Sequence, residues 1–145
     1  MLTTTPRDPA GDGSERFSRT DLERGPRQPL HQGRWANAVV YLFEFGGGRW
    51  VVKDFRPRSF LVRNLIGRLL IRREAAGLRR VDGLTGTPQG AFRIDAFALA
   101  YRFVPGRGLR KYRAEALRAD FFPALERNVL AMHARARVVH LDMRN

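Results

Sequence analysis

The spacing of apolar residues changes along this chain, and the changes mark out its elements. "AVVYLFEF" and "RWVVKDF" are short apolar runs rich in β-branched and aromatic residues, separated by the three glycines Gly46 to Gly48. They predict two strands, Ala38–Phe45 and Arg49–Phe55, joined as a hairpin. From Ser59 to Val81 the spacing becomes helical. Val62, Ile66, Leu70, Glu74 and Leu78 form one row at intervals of four, and Ser59 stands where a cap belongs. After a loop marked by glycine and proline, "GAFRIDAFALAYRFVPG", residues 90 to 106, predicts two more short strands closing on a Pro-Gly turn. A second helix is expected from about Pro123 to Ala136. Residues 1–28 mix Pro, Gly, Ser, Thr and charge without periodicity, which predicts a disordered leader.

Two strands, a helix, two strands and a helix predict an α+β fold. An antiparallel sheet should carry one packed helix, and the last helix should begin something else. At 145 residues, 43% of them hydrophobic, the chain is one domain's worth with a modest core. It has no cysteine, so a disulfide framework and a cysteine-based zinc site are both excluded. His31, His133 and His140 show no metal-ligand spacing, and no metal site is expected from them. The amino-terminal residues lack the apolar core of a secretory signal, and arginines interrupt every apolar run. The expected location is the cytoplasm, with a peripheral seat at the inner membrane as the alternative.

The formal net charge is +13, which suggests an anionic partner. Of the 27 basic residues only Lys53 and Lys111 are lysine, and the arginines are spread along the chain. That bias weakens the charge as evidence for nucleic acid, but it draws attention to each lysine. An ammonium is a compact point charge that a guanidinium does not replace in a tight phosphate site. The aromatic residues Phe43, Phe45, Trp50, Phe92, Phe97 and Phe103 read as sheet core instead of an exposed stacking platform, which further disfavours nucleic acid.

Lys53 lies on a predicted strand, and Glu74 on the helix that follows. Glu74 is the only acid between Phe55 and Val81, a stretch with eight arginines, yet Leu70, Ile71, Gly77 and Leu78 occupy its helical neighbour positions. An intrahelical ion pair is therefore unavailable, and the carboxylate needs a partner from another element. Lys53 is the obvious candidate. A lone strand lysine more often covers apolar surface with its stem, so the pairing carries the functional reading.

The order "VVKDF", "RREAAGLRRVDGLTGTP", "ALAYRFVPGRGL" and "MHARARVVHLDMRN" resembles the amino-terminal part of the protein-kinase-like fold, over roughly residues 30 to 145. It looks most like the bacterial lipopolysaccharide (Kdo) kinases and the RIO-like group, in which the phosphate loop is poor in glycine and the catalytic loop reads His-x-Asp. The resemblance implies a kinase-like N-lobe and hinge over 29–109, and the start of a C-lobe over 110–145. It implies ATP as phosphate donor, with Lys53 on its phosphates, Glu74 paired to Lys53, and "QGRWANA" with Gly33 covering the phosphates. "YRFVPG" would meet the adenine. Asp142 would accept or orient the acceptor hydroxyl's proton, and His140 would support that loop. The acceptor would be a hydroxyl on an envelope glycolipid sugar or a protein side chain.

The family's metal-binding asparagine would fall at position 147, so the ligands for Mg2+ are expected beyond residue 145. This suggests an interrupted reading frame, with a short inactive relative as the alternative. Phe121, Phe122, Leu125, Val129 and Leu130 would then lack the lobe they should pack against. Two other classes stay open, a basic nucleic-acid-binding module and a module that lies on a membrane surface. "FLVRNLIGRLLIRR" is basic and amphipathic, and could lie on an anionic membrane. Its apolar face is expected instead to pack on the sheet, because Glu74 belongs to the same row.

Overall fold

The hairpin at the centre of the protein follows from its turn. In the computed structural model, which describes residues 16–31, 37–106 and 118–137, β2 (Val39–Phe45) and β3 (Gly48–Asp54) pair antiparallel with Phe45 opposite Gly48. Only Gly46 and Gly47 lie between them, at φ of 58° and 75°. A type I′ turn, whose twist matches that of the strands, needs positive φ at both positions, which glycine adopts without strain.

Around this hairpin are β1 (Arg27–His31), β4 (Phe92–Arg93) and β5 (Ala98–Arg102), giving a five-stranded antiparallel sheet in the order β1-β2-β3-β5-β4. The class is α+β, as expected. Among the described residues the helices are α1 (Arg19–Arg24), α2 (Arg68–Val81), entered through a π turn at Val62–Gly67, and α3 (Phe121–Ala136).

Strand alternation divides the core between the two faces of the sheet. Phe43, Trp50, Val52, Phe92 and Ala100 point to one side, where Phe17 and Leu22 cover them. On the other side Phe55 and Leu99 meet Val62, Ile71 and Ala75 of the long helical segment. Leu22, Val52, Ile71 and Leu99 have no exposed surface. Each such aliphatic residue contributes about 1.5–3 kcal/mol relative to leaving it in water.

Two expectations are corrected here. The leader assigned to residues 1–28 is not disordered over its described part: residues 16–28 form α1 and the start of β1. A capping box fixes α1, because the Ser18 hydroxyl accepts from the Asp21 amide and Asp21 accepts from the Ser18 amide. Ser18 and that amide hold the Asp21 carboxyl below its ordinary range. The helix is then stapled to the sheet. Arg19 donates to both carboxylate oxygens of Asp54, at 2.5 and 3.2 Å, and through Nε to Asp95 at 2.8 Å.

The second correction concerns the four-residue row. The π turn inserts one extra residue, so the buried row is Val62, Gly67, Ile71 and Ala75, spaced five, four and four. Ile66 and Leu70, expected inside, are 37% and 39% exposed. Gly67 is required where it stands, since a Cβ there would lie 2.7 Å from the Phe55 side chain.

Candidate functional site

The register of the sheet sets Lys53 on the face that α2 covers. Lys53 pairs with Val40 of β2 and Leu99 of β5, and its neighbours two residues away, Val51 and Phe55, share that face. Glu74 sits on α2 one position before buried Ala75, at the border of the packed row. The Lys53 ammonium donates to Glu74 Oε1 and forms an ion pair with it, as the sequence reading required. About a third of each side chain is exposed, so the pair is reachable from solvent.

The pair lies in the wall of a cleft of about 810 Å³, between the β1–β3 side of the sheet, α2 and the end of α3. Four fixed cations, Lys53, Arg73, Arg80 and Arg137, line it among the described residues, against one carboxylate, Glu74. Four minus one leaves a local charge of about +3, which concentrates anions before any specific contact is made. Ala76 and Gly77 also line the cleft and, being small, leave its α2 wall open. His31 reaches it through a register shift in β1 between Pro29 and His31, which turns the histidine onto the face of Val40 and Lys53.

Next to the charged row lies an apolar one. Leu42 pairs with Val51, and Val51 with Tyr101, so these three side chains share the Lys53 face one alternation along the strands. That step is about 7 Å. Burial raises the pKa of the Tyr101 hydroxyl above its ordinary value; the Lys53 charge opposes the shift and Glu74 adds to it. The phenol therefore feels both charges of the pair. Just after β5 the Phe103 amide donates to the Arg49 carbonyl at 2.9 Å.

Arg137 closes α3 in the left-handed conformation, at φ 50° and ψ 40°, and its amide donates to the Met132 carbonyl. Asparagine or glycine usually takes this position. Here it turns an arginine toward the cleft wall.

Of the residues singled out in the sequence, Lys53 and Glu74 are brought together. Gly33, His140 and Asp142 lie outside the described residues, as does Lys111. The sequence reading missed Arg73, Arg80, Arg137 and His31. A signal for two of them was present: Arg73 and Arg80 are seven residues apart, with Ala76 and Gly77 between them, which places small and cationic residues on one helical face. No helix among the described residues is long and apolar enough to cross a membrane. No protein-family model matches the chain, and no curated protein matches it.

Proposed function

We propose that this chain carries the ATP-binding part of a phosphotransferase, as its kinase-like order of motifs implies. One observation carries the reading: a strand lysine, paired to a helix glutamate, stands in a cleft whose other fixed charges are arginines. The pairing holds the ammonium in place while leaving its remaining protons to donate. Phosphate oxygens fit there because they gain charge-assisted hydrogen bonds from Lys53 and attraction from Arg73 and Arg80. The apolar strip of Leu42, Val51 and Tyr101 suits a flat base beside those phosphates. Val51, 8% exposed, would be its floor.

Bound ATP would supply the γ-phosphoryl group, transferred to a hydroxyl of an envelope sugar or a protein side chain. By resemblance, Asp142 takes that hydroxyl's proton. Among the described residues no three of His, Cys, Asp and Glu gather as candidate metal ligands.

The test is calorimetric titration of the full chain with ATP and with adenosine in 0.15 M salt. ATP should bind at least about tenfold more tightly, since each charge-assisted bond to phosphate is worth roughly 1.5–3 kcal/mol. Equal affinity for adenosine would remove the phosphate role of Lys53, and no binding of either would remove the reading.

A further inference from the structure

The long helical segment carries more apolar surface than its packing on the sheet uses. The π turn that aligns the buried row also aligns two others, Phe60, Leu65 and Leu69, and beside them Leu61, Ile66 and Leu70. All six are exposed, from 37% at Ile66 to 70% at Leu65. Soluble monomers rarely leave apolar residues contiguous on this scale without a use for them.

Along the segment that carries these rows the charges have one sign as far as Arg73; Glu74, one turn after Leu70, is taken up by Lys53. From Arg56 to Arg73 there are six arginines and no acid. Arg68 and Arg72, with Arg93 from β4, also line a small cleft of about 360 Å³ whose apolar members are Leu69 and Ala96. Three guanidiniums around a cup that opens beside exposed leucines match an apolar layer edged with phosphate. A bilayer supplies both, and the convex face of a helix meets a flat surface more readily than a groove does.

We infer that this face docks on an anionic lipid bilayer. Phe60, Leu61, Leu65 and Leu69 enter the boundary between headgroups and acyl chains, while Arg68, Arg72 and Arg93 hold lipid phosphates. Leu70 and Arg73 lie both on this face and on the rim of the Lys53 cleft, so docking sets that cleft beside the membrane. The docking stands whether or not the cleft takes ATP.

The experiment is sedimentation of the full chain with vesicles of phosphatidylcholine alone, or mixed equally with phosphatidylglycerol, in 0.15 M salt. The chain should partition onto the mixed vesicles and not onto phosphatidylcholine. The variant Leu65→Ser/Leu69→Ser keeps the net charge and, because both positions are exposed, the fold; an unchanged thermal melt checks this. Its partition should fall at least about tenfold. In Leu65→Trp, emission should shift to the blue when mixed vesicles are added. Equal partition of the serine variant and the wild type would assign binding to net charge and overturn the inference. So would a Trp shift that follows protein concentration without lipid, which would mark a contact between two copies.

Discussion

Lys53→Met should lower ATP affinity by about 100-fold or more, equivalent to ~2.7 kcal/mol, with the folded state retained. The change removes the ammonium that would meet the phosphates and also frees the Glu74 carboxylate, which then repels them. Methionine keeps most of the apolar stem that packs beside Leu99. Both members of the pair are about one-third exposed, so solvent screens the stranded glutamate and the cost in stability stays within about 1 kcal/mol. Calorimetric titration gives the affinity, and urea unfolding checks the fold. Lys53→Arg separates charge from shape: it keeps the charge and can still pair with Glu74, but the larger planar guanidinium does not reproduce the compact ammonium against the phosphates, and affinity should stay well below wild type. ATP affinity unchanged in Lys53→Met would end the nucleotide reading.

The second large effect lies on the other side of the sheet. Arg19→Met should destabilise the protein by about 3–5 kcal/mol at neutral pH, a large share of what a domain of this size has. The guanidinium is the partner of Asp54, which is 2% exposed, and of Asp95. Burial works against the Arg19 charge, but hydrogen bonds and attraction from the two carboxylates outweigh it and raise its pKa above the ordinary value. For Asp95, burial pushes the pKa up, whereas Arg19 and the Phe97 amide pull it further down, leaving it below the usual carboxylate range.

A carboxyl with a depressed folded pKa contributes stability that is complete above its unfolded pKa, about 4, and is lost as pH falls through the folded value. The gap between wild type and Arg19→Met should therefore be widest above about pH 5 and narrow toward pH 3. Adding Asp54→Asn to Arg19→Met removes the stranded buried charge and should return part of the loss. Urea unfolding from pH 3 to 7 measures all three proteins. A variant as stable as wild type at pH 7 would mean that α1 is not held by this network.

What the sequence showed clearly was local. The β2–β3 hairpin was legible because dense apolar runs flank glycines that a tight turn needs, and the pairing of Lys53 with Glu74 was legible because the helix offered the glutamate nothing else. What was hidden depends on contacts far apart in sequence. Phe17 and Leu22 are isolated apolar residues in a polar stretch, and α1 is only six residues long. Its place rests on Arg19 reaching Asp54 and Asp95, 35 and 76 residues away. No local pattern carries that information. The row of four-residue spacings misplaced Ile66 and Leu70 because a π turn shifts the phase by one, and only the close approach of Gly67 to Phe55, a tertiary contact, reveals why. Of the site, the ion pair was readable and the spacing of Arg73 and Arg80 carried a signal, but nothing pointed to Arg137. Arg137 comes from α3, and its position depends on a left-handed cap that glycine would have announced and arginine does not.

In the proposed reading a nucleotide's phosphates sit against Lys53. An acyl phosphate of ATP tests it most directly. An amine beside the phosphates attacks the acyl carbon, the bond from that carbon to the phosphate oxygen breaks, and the lysine is left as an amide while ATP departs. With only Lys53 and Lys111 as lysines, mass spectrometry of the digested chain gives an unambiguous site. Acylation of Lys53 that excess ATP suppresses, with Lys111 unmodified, is the expected result. Lys53 left unmodified, or acylated to the same extent with ATP in excess, would contradict it.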